Sequence, residues 1–189
     1  VGYLADPEQA EKVVQVLELF GDTVILDPVM GDHGKLYSRQ TPDHVTAMGK
    51  LCRKAKYVLP NVTEAAIFAR MEFRDQLTEA YLSRLLDELN HPCVVLTGTG
   101  LTEGETGITL RQGKEQSHYF HPKINKNFHG TGDMFSACFT GALMQGKDKG
   151  EAVKIAADFV CKAIENTCAK PAHWYGVKFE TALPDLIRN

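Results

Sequence analysis

Three short runs constrain this chain more than anything else in it. Thr23 to Leu26, Tyr57 to Leu59 and Cys93 to Leu96 are built from apolar and β-branched residues without alternation. A strand with one wet face alternates polar and apolar side chains, whereas a strand covered on both faces does not. The first run stops at Asp27-Pro28 and the second at Pro60, where the missing N–H ends a ladder. The third passes into Thr97-Gly98-Thr99-Gly100.

Helix-period segments fill the intervals. Glu8 to Phe20 carries Ala10, Val13, Val14 and Leu17 on one stripe. Thr41-Pro42-Asp43 opens a second helix, and Thr63 to Met71 and Thr78 to Leu89 are the third and fourth. Met30 to Ser38, rich in glycine and charge, reads as a loop. Gly107 to Leu110 and Ser117 to Phe120 are two strands turning at Gly113. Helices follow from about Asp133 to Gln145 and from Glu151 to Cys168, and a short one near Phe179 to Ile187 comes last. This order predicts an α/β fold with a mostly parallel sheet and helices on both faces, a three-layer arrangement. No repeat or composition shift divides residues 1–189, which read as a single domain.

Composition narrows the function. Lys and Arg number 21 against 24 Asp and Glu, a formal charge of −3. That balance offers no attraction to nucleic acid or anionic lipid. No stretch reaches the ~20 apolar residues of a membrane-spanning helix. The five cysteines are odd in number and form no CxxC pair. They read as buried free thiols in a reducing, cytoplasmic compartment. No signal sequence opens the chain, and Val1, which is not Met, reads as an interior start. The seven histidines show neither HExxH nor a paired zinc spacing, no GxSxG elbow is present, and GxxxxGK[ST] is absent.

Ligands of open parallel sheets bind beyond the carboxyl ends of the strands. Asp27, Pro60-Asn61-Val62-Thr63-Glu64, Thr97-Gly98 and His129-Gly130-Thr131-Gly132-Asp133 all fall at such ends or at a helix start. In the last loop, Gly130 and Gly132 permit tight backbone geometry and leave their amides uncovered. Free amides at a helix N-terminus make an anion site. A carboxylate at Asp133 is badly placed to bind that anion but well placed to take a proton from a hydroxyl attacking it. The plain alternative is a turn, with Asp133 a helix cap. Asp27 and Glu64, with Asn61 between them in sequence, suit Mg²⁺, which takes one or two carboxylates plus phosphate oxygens. Here the alternative is a turn at Asp27-Pro28 and a helix capped by Glu64. Lys123 and Lys126 line either a solvated strand edge or a nucleotide-phosphate channel.

Asp27-Pro28-Val29-Met30-Gly31-Asp32, Pro60-Asn61-Val62-Thr63-Glu64 and Gly130-Thr131-Gly132-Asp133-Met134-Phe135-Ser136-Ala137 stand in the same order as in the ribokinase-like superfamily. Together they resemble the pyridoxal (pyridoxine, pyridoxamine) kinase family most closely. The resemblance implies ATP-dependent phosphorylation of the 5′-hydroxymethyl group of a B6 vitamer, as in vitamin B6 salvage. It makes Asp133 the general base and the amides of Gly130, Thr131 and Gly132 the anion hole. It places Asp27 beside the ATP phosphates and their cation, and Leu59, Asn61 and Thr97 on ATP. Glu64 would organise Mg²⁺ through water, and the backbone at Tyr37 matches a cation-binding position; family members often also use K⁺. It further implies a homodimer.

Two departures qualify the match. Hydroxymethylpyrimidine kinases of the superfamily often carry Cys where this chain has Asp133, yet Lys126-Asn127-Phe128-His129-Gly130-Thr131-Gly132 resembles their run. Family chains also begin with a further N-terminal portion. Residues 1–189 therefore resemble the C-terminal, ATP-binding part of a ribokinase-like domain with its N-terminal strands missing. The alternatives are a hydroxymethylpyrimidine (phosphate) kinase and a non-catalytic nucleotide-binding fragment.

Overall fold

The computed structural model describes residues 1–19, 24–124, 126, 128–169 and 176–187. Their elements run α1 (Pro7–Leu17), β1 (Ile25–Leu26), β2 (Gly31–Asp32), β3 (Lys35–Leu36), α2 (Pro42–Cys52), β4 (Tyr57–Val58), α3 (Val62–Ala69), α4 (Glu79–Leu89), β5 (Cys93–Thr99), β6 (Glu105–Gln112), β7 (Glu115–Pro122), α5 (Thr131–Met144), α6 (Lys149–Cys168) and α7 (Leu183–Ile187). A 3₁₀ turn at Phe179–Thr181 precedes α7. The chain divides into two compact units, Val1–Phe120 and His121–Asn189.

In the first unit a five-stranded sheet has the order β1-β4-β5-β6-β7. β1, β4 and β5 run parallel, and β5 pairs antiparallel with β6. Beyond β1, the Val1 amino group donates to Ile25 O at 2.9 Å and Asp27 N–H to Val1 O at 2.8 Å. Leu26, Val58, Val94 and Leu96 share one core with inward residues of α1 to α4, among them Ala10, Leu51, Ala65, Leu82 and Leu85. Val95, which points to the other face of β5, is also fully buried. This double burial is why the strand reads as a continuous apolar run. The mostly parallel α/β fold follows the expectation from sequence.

The segment expected to be a loop after Met30 is different. Gly31–Asp32 and Lys35–Leu36 pair antiparallel as a small hairpin. Its two turn residues, His33 (φ 50°) and Gly34 (φ 76°), both occupy the left-handed region that a tight two-residue hairpin turn requires. Strands of two residues are too short to show alternation, and this is why the hairpin reads as a loop.

In the second unit α5 packs against α6. A small cluster of Phe159, Ala163 and Ala182, flanked by Met134, Cys138 and Val160, joins α5, α6 and the segment entering α7. None of the five cysteines is in a disulfide, and only Cys93 is buried; Cys52, Cys138, Cys161 and Cys168 are half-buried. These four sit on helices, off the innermost stripe. Phe20 and Thr23, the ends of two expected elements, and Asn127 of the glycine-loop run lie outside the described residues.

Candidate active site

The site residues of the first unit gather around the start of α3. Asn61 is its N-cap and accepts from Glu64 N–H at 2.9 Å, while the Glu64 carboxylate accepts from Asn61 N–H at 2.9 Å. This reciprocal capping box settles two first-turn amides at once. It also corrects one expectation: the cap is Asn61, and Glu64 lies inside the helix.

The same side chains hold the hairpin. Met30 N–H donates to Glu64 Oε1 at 3.0 Å, Asn61 Nδ2 donates to Gly31 O at 2.8 Å, and Gly34 N–H donates to Thr63 Oγ1 at 2.9 Å. The Asp27–Asp32 and Pro60–Glu64 motifs thus grip one another. Gly31 is dictated by this packing, since a Cβ there would lie 2.6 Å from Lys35 O. Met30, Gly31 and Thr63 fall inside the expected motifs, but their part in this grip, and that of Gly34, is not an expectation from sequence. The available signals were a buried threonine beside Glu64 and the Asp-His-Gly-Lys turn.

Glu64 is 2% exposed. Burial pushes its carboxyl up to about 8, the Asp27 charge adds to the rise, and backbone N–H groups of Asn61, Met30 and Gly31 pull the other way. Two carboxylates within electrostatic reach form a setting that a cation would relieve. Glu64 already has amide donors on both oxygens, from Met30 and Asn61. Among the described residues no group of three or more His, Cys, Asp or Glu is placed to hold a metal alone. A magnesium ion fits here as an ion sharing its shell with phosphate oxygens. Tyr37 joins the group through its backbone: its N–H donates to Met30 O at 2.9 Å, and its carbonyl accepts from Gln40 N–H at 2.8 Å.

Thr97 pairs with Asn61 in a parallel bridge, and its N–H donates to Pro60 O at 2.9 Å. Asn61 and Thr97 are therefore neighbours across two strand ends. Leu59 is set apart. Its side chain is 2% exposed in the core and its N–H donates to Leu26 O at 2.8 Å, so only its carbonyl remains to meet a ligand.

The remaining site residues belong to the second unit. Helix α5 starts at Thr131, two residues earlier than expected, with Gly130 as N-cap. Gly130 has φ 86°, a left-handed conformation that glycine adopts without strain, and among the described residues no side chain caps the helix. Thr131, Gly132 and Asp133 thus form the first turn itself, with first-turn amides that lack intrahelical partners. Gly132 is helical, so of the two loop glycines only Gly130 needs a positive φ. Asp133 is exposed on that turn. The Lys126 ammonium lies 5.2 Å from the centre of the Phe128 ring.

The sequence profile described as phosphomethylpyrimidine kinase matches residues 1–177. This chain belongs to the phosphomethylpyrimidine kinase family. Members of the family similar to it carry two kinds of name. A hydroxymethylpyrimidine/phosphomethylpyrimidine kinase of Bacillus subtilis (strain 168) is 29% identical over 170 residues, covering 88% of this chain and 62% of that protein. A pyridoxine kinase of the same organism is 28% identical over 169 residues, covering 85% of this chain and 59% of that protein. The chain therefore spans less than two thirds of the length of either relative. A crystal structure from Bacteroides thetaiotaomicron VPI-5482, provisionally named a phosphomethylpyrimidine kinase, matches with a TM-score of 0.92 at 27% identity, covering 98% of this chain and 67% of that one. A second structure under the same description, in orthorhombic form with pyridoxal, matches with a TM-score of 0.88 at 28% identity, covering 98% and 69%. This member of the phosphomethylpyrimidine kinase family has the ribokinase-like kinase fold.

Proposed function

We propose that residues 1–189 are the ATP-binding, base-bearing part of one ribokinase-like kinase domain, which phosphorylates a hydroxymethyl group on a heteroaromatic ring. The favoured acceptor is the 5′-hydroxymethyl of pyridoxal, pyridoxine or pyridoxamine. The observation that carries the reaction class is the uncapped first turn of α5, with Asp133 on it, in a chain whose family match spans residues 1–177. Asp133 accepts the hydroxyl proton as the hydroxymethyl oxygen forms its bond to the γ-phosphorus. The bond from that phosphorus to the β,γ-bridging oxygen breaks, and ADP leaves with the electron pair. The amides of Gly130, Thr131 and Gly132 receive the charge on the transferred group, which is the main catalytic requirement of phosphoryl transfer.

Asp27 is assigned to the ATP phosphates and their cation, Asn61, Thr97 and the Leu59 carbonyl to ATP, and Glu64 and the Tyr37 carbonyl to the cations, Mg²⁺ and K⁺. When bound, Mg²⁺ supplies charge neutralisation to the phosphates. A cytoplasmic homodimer completes the reading.

Hydroxymethylpyrimidine or its phosphate is the second acceptor, favoured by the family description and by the Bacillus subtilis kinase. The test is transfer of radiolabelled phosphate from ATP to pyridoxal and to hydroxymethylpyrimidine by the purified protein with Mg²⁺ and K⁺. Faster labelling of pyridoxal supports the first reading, and faster labelling of the pyrimidine supports the second. ATP binding with no transfer to either would leave a nucleotide-binding fragment.

A further inference from the structure

The first unit holds a cavity of about 310 Å³ that the proposed reaction does not use. Small-molecule pockets begin at ~300 Å³ and combine apolar walls with a few placed polar groups. This one has that make-up. Val58, Phe68 and Leu89 line it together with Pro28 and Pro60, and no acidic residue does. Gly49 and Arg53 supply the α2 side. Among the described residues the Arg53 guanidinium has no ion-pair partner, and it lies 3.9 Å from where a Cβ on Gly49 would stand. His91 is a fixed wall rather than a free group, since its ring nitrogens lie 2.9 Å from Cys93 O and 3.0 Å from Ala55 O.

We infer that this cavity binds a small ring-bearing anion, its ring among Val58, Phe68 and the two prolines and its carboxylate or phosphate on Arg53. An unpaired guanidinium at the rim of an acid-free, apolar cavity selects for a planar anionic group, which it can meet with two parallel N–H donors. The position is specific. Pro28 and Pro60 belong to the two motifs of the proposed ATP site and line the cavity, so the occupant would touch both.

The probes are benzoate, phenyl phosphate, benzyl alcohol and inorganic phosphate, titrated by calorimetry into the whole chain. Benzoate or phenyl phosphate should bind with Kd below ~1 mM, and the neutral alcohol about tenfold or more weakly. Whichever of the two anions binds tighter identifies the headgroup. Gly49→Leu should remove this binding while the protein stays folded, because a Cβ there meets Phe68 at an ordinary 3.8 Å and its extension enters the cavity. Arg53→Gln should weaken both anions about tenfold and leave benzyl alcohol unchanged. Wild-type protein that binds neither anion, or a folded Gly49→Leu protein that binds them as well as wild type, overturns the assignment. Inorganic phosphate binding that survives Gly49→Leu reports on a different anion site, and ATP titrated into the same variant tests the proposed function separately.

Discussion

Helices α3 and α5 begin in opposite ways. At α3, Asn61 and Glu64 satisfy first-turn amides with side chains, and Thr63 and Glu64 also hold the hairpin. At α5, a left-handed glycine leads into the turn and, among the described residues, no side chain caps it. A capped terminus has its own side chains on its first-turn amides, so those amides are not offered to an anion. An uncapped one keeps both donors and dipole for something that arrives later, and it forgoes the ~1 kcal/mol that a cap contributes. Substitutions at the two termini should accordingly differ in their stability cost, which is expected to be larger at α3 than at α5.

The largest effect is expected at Asp133. In an active form of the enzyme, Asp133→Asn should lower kcat by ~10²–10⁴-fold with little change in ATP affinity. Near-normal turnover in steady-state assays would remove Asp133 from the chemistry. At the other terminus, Glu64→Ala leaves the amides of Met30 and Asn61 without their acceptor. Each orphaned buried donor costs about 1–3 kcal/mol, measurable as a lower denaturation midpoint. If that variant unfolds at the wild-type midpoint, the capping box is not holding the hairpin.

Protonation probes the same knot. Glu64 has a folded-state pKa raised from 4.5 to about 8, so folding takes up a proton between those values. Its contribution to stability is then greatest below pH 4.5 and is lost as pH rises through 8. Thermal melts between pH 5 and 9 should show this decline, and it should be absent in Glu64→Gln. The smallest effect sharpens the contrast itself. Gly130→Asn offers α5 a side chain that tolerates the left-handed region and can cap, so stability should change by only a few tenths of a kcal/mol. ATP binding should weaken because the added side chain competes for the amides. Unaltered ATP binding would mean that the turn is not an anion hole.

What was legible in the sequence follows from which forces act locally. Doubly buried strands announce themselves through unbroken apolar runs, and the core of Leu26, Val58, Val94 and Leu96 was readable for that reason. The Thr78 cap places the start of α4 within one residue of expectation, while α6 starts two residues before it, at Lys149 after its Asp148 cap. The start of α5 was misplaced by two residues because a glycine cap gives no side-chain signal. The grip of Asn61, Thr63 and Glu64 on Met30, Gly31 and Gly34 was not legible. It joins residues about thirty positions apart, and no local pattern encodes it. The motif marks Glu64 as a cation residue, whereas its burial and its amide partners depend on the folded chain.

Three side-chain–backbone hydrogen bonds tie the hairpin to the start of α3, across separations of 34, 30 and 29 residues. Bonds that close the same loop share its closure entropy, so they do not contribute independently. Losing any one of them should loosen the other two. A second substitution in the group should then cost less than it does in the intact protein, a departure from additivity of ~0.5–3 kcal/mol. Genetically, the two segments amount to a single locus. A lineage that has lost one of the three bonds is free to drift at the remaining two, while one that keeps all three is held at every position of the knot.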